Sequence, residues 1–468
     1  MKNSLLLEAL ETLDKNERRA FGRFVRSPFF NLREDVAQLY DYLSECLWVH
    51  NVVPEKEQAF RRLFGRAEYD DHRIRVAMSF LLKLLERYFQ YLVQSENEAG
   101  NGLARARAYR RRQLTRHFHR SLRAAKKSGE QEPYRSAGFF YWRFQLQVEE
   151  YRFQASRKRA AEFNLQSITH SLDTYFCSAK LRQACLALSH QAVYRASYGL
   201  GMLAELLAFL EGNELLELPA VAIYYHCYRA LSEPEQGSHF TQFKELLFEQ
   251  GHLFSLPEQQ DLYLLGINFC TRRYNEGDDS YLKSQLELYE KGLKQGLFVH
   301  ESRLSRFTYR NITTLGLILE EYEWVEQFLY AYRETLEPEY RQSMFNFGLA
   351  RLEYSRKEYG KALQLLQLAN FREPLLHLSA RAIVLKIFYE LQETGPLEAQ
   401  MEALRVFLRR KKVVAYHREN YGNLLKYIRR LMELAPGNRK EREVLKEEIL
   451  AEKALAERAW LLEQLNLP

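Results

Sequence analysis

Apolar residues recur at intervals of three and four along nearly the whole chain, and sustained alternation with a period of two is almost absent. Helices account for that pattern and strands do not, because a 3.6-residue turn is what brings positions three and four apart onto one face. Ile74, Met78, Leu81, Leu85, Tyr88 and Leu92 are the clearest case. Their gaps of 4, 3, 4, 3 and 4 put six side chains on one face, while Arg75, Lys83, Glu86 and Arg87 fall elsewhere. Gly and Pro number 21 and 11 among 468 residues, about 7% together against a usual ~12%, so little chain is left for loops. The expectation is an all-α fold, far above the usual one-third helix.

A chain of 468 residues exceeds the roughly 250–300 at which a single core stops growing, so it needs several domains or an elongated repeat array. Local signals mark the helix ends. Asp14 with Glu17, and Asn31 with Glu34, have capping-box spacing, and Pro219, Pro257 and Pro396 stand where a missing N–H costs nothing. From about Ser178 onward the helices read as pairs. Breakers at Leu218-Pro219, Leu256-Pro257, Glu337-Pro338, Glu373-Pro374 and Ala435-Pro436 are in places 36 to 40 residues apart, an interval that suits one helix-turn-helix unit. Such a unit is too thin to bury its own apolar face, and stacking supplies the missing cover.

Within Ser343–Pro374, Asn346-Phe347-Gly348-Leu349-Ala350 is followed by Tyr359, Ala362, Leu366, Ala369 and Pro374. This stretch resembles a tetratricopeptide repeat, with Leu349-Ala350 in place of the family's Leu-Gly and the later residues at its tyrosine, alanine, large-residue, alanine and proline positions. It departs from the family at Asn346, where an aromatic is usual, and at Glu353, where a tyrosine is usual. Trp324 stands 35 residues before Tyr359 in a similar context, although Glu326 or Gln327 falls at the alanine position, and Tyr389-Glu390-Leu391 begins a looser copy. The repeat register is read over 308–412. The chain as a whole also resembles bacterial helical-repeat proteins that carry no assigned activity. The resemblance implies a right-handed superhelical stack of antiparallel helix pairs, a tetratricopeptide-like α-solenoid, behind a less regular helical N-terminal region. The expected organisation is residues 1–130 ending in a basic helix, a solenoid over 131–435, and a charged capping helix over 436–468.

Signatures of chemistry are weak. Gly199-Leu200-Gly201-Met202-Leu203-Ala204 fits the dinucleotide fingerprint, but no strand precedes it, so it reads as a turn between helices. Gly360-Lys361 lacks the rest of a phosphate-binding loop. Twelve histidines include no His-Glu-x-x-His; the lone Glu249-x-x-His252 reads as a helix C-terminus, and His117 and His119 do not share a helix face. Cys46, Cys177, Cys185, Cys227 and Cys270 form no Cys-x-x-Cys pair and read as core residues in a reducing compartment. The adjacent acids Glu149-Glu150, Asp278-Asp279 and Glu447-Glu448 read as solvated faces. The expectation is a non-enzymatic protein with no metal and no cofactor.

The longest stretch free of Asp, Glu, Lys and Arg is Gln183–Tyr194, too short to span a bilayer. Glu8 and Glu11 interrupt the apolar start, and the expected location is cytoplasmic. The net charge of +7 is uneven: between Asn101 and Glu130 ten Lys or Arg face one acid, +9, which leaves −2 for the remainder. This segment reads either as a solvated or internally paired helix, with Leu114, Phe118 and Leu122 as its apolar stripe, or as a contact for nucleic acid or an acidic protein.

The favoured function is binding of a protein or peptide on the concave surface of the array, with Met344, Phe347, Arg351 and Tyr354 on the inner face of the Ser343 unit. The alternative is nucleic-acid binding through Arg105, Arg110, Arg111, Arg112, Arg116 and Arg120 on a basic helix spanning 105–127. No membrane or small-molecule partner is expected.

Overall fold

The computed structural model describes residues 1, 3–157, 162–194, 196–368, 374–410, 415–434 and 438–466. Among them are 23 α-helices and a single small hairpin, Val299–His300 paired antiparallel with Arg303–Leu304. The all-α expectation holds, and helices adjacent in sequence pack together. The chain divides into two compact units, Met1–Leu181 with Ala204–Val221, and Arg182–Leu203 with Ala222–Pro468.

In the first unit the long helix Asp71–Glu96 is the organising element, packed against Leu5–Glu11, Lys15–Val25, Glu34–Ser44 and Lys56–Phe64. Its stripe Ile74, Met78, Leu81, Leu85 and Tyr88 is buried, with Ala77 and Leu84 beside it and Leu92 partly covered. Burying each large side chain contributes about 1.5–3 kcal/mol, so this face determines which way the helix lies.

The two capping boxes fare differently. Asp14 Oδ1 accepts from the N–H groups of Asn16 (2.6 Å) and Glu17 (2.8 Å), and Glu17 Oε2 accepts from the Asp14 N–H at 2.9 Å. Asn31 is instead spent on a loop: its oxygen accepts from Arg33 N–H at 2.9 Å and its amide donates to the Val25 and Arg33 carbonyls. The next helix starts at Glu34 without a side-chain cap.

The basic segment is not one helix. Glu98–Arg111 and Thr115–Gln131 form an antiparallel hairpin, reversed at Arg112-Gln113-Leu114, where Gln113 takes the left-handed φ of 58°. Leu103 and Ala106 of one arm meet Phe118, Leu122 and Ala125 of the other, and Phe118 stacks on Phe153 of the next helix, Ala137–Ala155, with centroids 4.0 Å apart. A Cβ on Gly102 would lie 2.9 Å from that of Ala125, so a glycine lets the arms approach. Leu114 leaves the expected stripe and lies at the turn, 41% exposed.

In the second unit helices follow in pairs: Arg306–Ile318 with Tyr322–Ala331, Arg341–Ser355 with Tyr359–Leu368, and Pro374–Glu390 with Thr394–Arg410. The turn inside each pair repeats at the level of hydrogen bonds. Glu321, Glu358 and Glu393 donate their N–H five residues back, to Gly316, Glu353 and Phe388, each at 2.9 Å. The residues before them, Glu320, Lys357 and Gln392, have φ of 59°, 63° and 59°. These are Schellman turns, which close off the last free carbonyls of a helix. Small residues sit at the crossings: Ala350 and Ala362 are fully buried, and a Cβ on Gly316 would come within 2.4 Å of Val325. Ala369 lies outside the described residues. Residues 438–466 hold two helices, Arg439–Ala451 and Arg458–Asn466, where one charged capping helix was expected; Leu445, Ile449, Trp460, Leu461 and Leu465 anchor them.

Candidate functional sites: a cationic cleft and a basic hairpin

The first helix of each successive pair presents residues at i, i+4 and i+7 to one cleft. Arg310, Thr314 and Leu317 come from the first, Phe347, Arg351 and Tyr354 from the second, and Ser379, Ile383 and Lys386 from the third. Glu457 also lines this cleft, which encloses about 390 Å3. Three of the four residues expected on the inner face therefore come together. Met344 does not: it is buried, 3% exposed, and contributes to the core.

The cations of the cleft are held in two ways. Lys386 Nζ is 2.8 Å from Glu457 Oε2 and lies 4.7 Å over the Tyr354 ring, so its charge is matched. Arg351 donates from Nη1 to Thr314 Oγ1 at 2.7 Å and lies 5.9 Å over the Phe347 ring; among the described residues no carboxylate pairs with it. Burial pushes its pKa down to about 10, Arg310 adds to that effect, and Glu457 opposes it. The guanidinium stays protonated at neutral pH. Arg310 likewise has no ion pair among the described residues and leans on Phe307 at 5.9 Å.

Behind the cleft lies Glu390, its side chain 9% exposed. The hydroxyls of Tyr354 and Tyr359 donate to its carboxylate, as do Trp460 Nε1 at 2.8 Å and Lys357 Nζ at 3.3 Å. Burial alone would raise this carboxyl, but the donated hydrogen bonds outweigh it and hold the group below its ordinary range. Arg310, Lys386, Glu457 and Glu390 were not singled out from sequence. The recurrence of i, i+4, i+7 at 310/314/317, 347/351/354 and 379/383/386 was the available signal.

The hairpin sorts its cations differently. Glu149, 1% exposed, accepts from Arg107 Nε at 3.0 Å, Arg110 Nε at 2.7 Å and Arg152 Nη1 at 3.2 Å, while Lys126 pairs with Glu150 at 2.7 Å. Glu149 and Glu150 are thus not a solvated acidic face. Burial tends to raise the Glu149 carboxyl, and Arg110 and Arg107 more than reverse this, leaving it below its usual range. Arg110 is therefore committed to the interior. Arg105, Arg111, Arg112, Arg116 and Arg120 are exposed, and none has an ion pair among the described residues.

Other candidates resolve as structure. Gly199 and Gly201 lie in the irregular stretch between Leu165–Val193 and Leu203–Leu210, with no strand before them. His252 donates from Nδ1 to the Glu249 carbonyl at 3.0 Å, at a helix end. All five cysteines are free and buried; burial pushes the Cys177 thiol up to about 11 and Cys270 to about 12. Among the described residues no three His, Cys, Asp or Glu gather as metal ligands, and no helix is long and apolar enough to cross a membrane. A larger concavity of about 680 Å3 in the first unit includes Leu7, Arg18, Trp48 and Pro54. Its Arg18 is already held by the Leu13 carbonyl at 2.8 Å and the Trp48 face at 4.6 Å. No protein-family model matches the chain, and neither a curated protein nor a solved structure is measurably similar to it.

Proposed function

We propose that this chain is a non-enzymatic, tetratricopeptide-like solenoid that binds an acidic peptide segment of a partner protein in the cleft lined by Phe347, Arg351 and Tyr354. The observation that carries the reading is Arg351, a partly buried cation whose side-chain hydrogen-bond partner among the described residues is a neutral hydroxyl, on a concave surface. Desolvating a guanidinium without a carboxylate costs stability, and a ligand carboxylate accepting a bidentate pair would recover that cost. Arg310 supplies a second positive charge, and the Tyr354 ring offers apolar contact beside it, with Phe347, 4% exposed, forming part of the cleft wall. The solenoid is supported by the repeated turns at Glu320, Lys357 and Gln392, by buried Ala350 and Ala362, and by first helices that pack on the next first helix.

A display library of random peptides selected on the purified chain tests the proposal. Enrichment of peptides carrying Asp or Glu beside an aromatic, with binding lost in Arg351→Glu and kept in Arg116→Glu, is the expected result. Enrichment indifferent to Arg351→Glu would sink it.

A further inference from the structure

We infer that the hairpin of the first unit carries a second binding face, for the phosphodiester backbone of a nucleic acid. The peptide reading has no use for this surface, and the two stand independently. On the helix Thr115–Gln131, Arg116, Arg120, Arg123 and Lys127 have gaps of 4, 3 and 4 and are all exposed. They form a straight stripe about 16 Å long at the helical rise of 1.5 Å per residue. On the opposite side of the same helix Phe118, Leu122, Ala125 and Gly129 repeat the same gaps and are buried, which fixes the rotation of the helix and keeps the stripe turned outward. Arg105, Arg111 and Arg112 add exposed charge on and beside the other arm.

Two of the acids nearest the hairpin, Glu149 and Glu150, are occupied by Arg107, Arg110, Arg152 and Lys126, while Glu130, at the end of the stripe's own helix, makes no ion pair among the described residues and leaves the stripe strongly positive. The four cations of the stripe have no ion pair among the described residues; Arg123 Nε reaches the His119 carbonyl at a long 3.4 Å. Four like charges at neighbouring helical positions repel one another and favour a polyanion that meets them together. The face also lacks what other partners need. Beside the stripe lie His117, His119 and Ala124, and the one large exposed apolar residue is Leu114 at the turn. A protein interface has an apolar core and a membrane-surface helix an apolar face, and this face has neither. Arginine predominates, and its planar fork suits phosphate oxygens. Over 16 Å a duplex presents about nine phosphates, enough to engage all four side chains.

The test is fluorescence anisotropy of the full chain with a labelled random-sequence DNA duplex, a labelled single-stranded RNA, and, by sedimentation, vesicles rich in an anionic lipid. Four phosphate contacts predict a slope of about −3.6 for log affinity against log salt, roughly a hundredfold loss between 50 and 200 mM. The triple variant Arg116→Glu, Arg120→Glu, Arg123→Glu is expected to reduce the slope to near −1 and to weaken binding more than tenfold, with its circular dichroism unchanged. Arg351→Glu is expected to leave this binding intact. A preference for duplex or for single strand identifies which nucleic acid the face takes. No binding at 50 mM salt, binding unchanged by the triple variant, or vesicles bound in preference to both nucleic acids would each overturn the inference.

Discussion

Glu149 in the first unit and Arg351 in the second handle buried charge in opposite ways. In the first, Glu149 is a buried anion with three arginines around it, so its charge is more than matched within the fold. In the second, Arg351 is a partly buried cation facing a cleft with a hydroxyl in place of a carboxylate. A buried ion whose partners are all supplied internally is part of the fold's own support. One that the fold leaves short points outward to a ligand, because desolvation has been incurred and, for Arg351, only Glu457, which makes no ion pair with it, offsets it. The contrast predicts opposite responses when the charge is deleted.

Glu390 belongs with the satisfied class, and its loss is expected to cost most. Glu390→Ala removes the acceptor for Tyr354, Tyr359 and Trp460 together, for about 4 kcal/mol, given ~1–3 for each orphaned buried donor. Denaturant unfolding followed by tryptophan fluorescence measures it, and a cost below ~1 kcal/mol would show that these donors rehydrate freely.

Glu149→Gln is expected to destabilise by about 2 kcal/mol, less than a fully buried pair because Arg107 and Arg152 are partly exposed and recover water. Its pH dependence has a definite sign. The folded carboxyl lies below its unfolded value, so the stabilisation is complete above the unfolded pKa near 4.5 and is lost as pH falls through the folded one. Acid titration of stability should be flatter in the variant.

His226 and His239 face each other with Nδ1 atoms 3.0 Å apart. Burial first, and then His239, push the His226 pKa down to about 4. The unfolded state therefore takes up its proton near pH 6.5 before the folded state does, and stability declines as pH drops from 6.5 toward 4. After allowance for solvent screening the effect is about 1–2 kcal/mol. His226→Leu should remove this part of the slope; an unchanged slope would place the titration elsewhere.

The smallest expected effect has the opposite sign. Arg351→Met is expected to stabilise the second unit by up to about 1 kcal/mol while abolishing acidic-peptide binding, since a residue kept for a ligand is retained at some cost in stability. A loss of stability near that predicted for Glu149→Gln would put Arg351 in the satisfied class and erase the distinction.

Much of the helical architecture was legible in the chain. The stripe from Ile74 to Tyr88, the Asp14–Glu17 box and the proline-marked starts all follow from interactions within a few residues. The Asn31–Glu34 box was misread because the same asparagine also satisfies a loop, an alternative that spacing does not distinguish. The basic run read as one helix for a similar reason: charge carries no turn signal, and the reversal at Gln113 uses a left-handed residue that is not glycine. Non-glycine residues at Glu320, Lys357 and Gln392 hid the repeated turns in the same way. At the cleft, Phe347, Arg351 and Tyr354 were reached through one repeat's register. Met344 shares that helix but falls on its packed side.

The sequence by itself determined that the chain is helical and, in segments such as Asp71–Glu96, which face is apolar, because both depend on residues three or four apart. Tertiary structure alone decided which charges are matched. Arg107 finds Glu149 across 42 residues, Arg351 finds Thr314 across 37, Lys386 finds Glu457 across 71 and Trp460 finds Glu390 across 70. Partners so distant are brought together by the packing of apolar faces, which leaves any local run of charge free to end as an internal anchor or as an open surface.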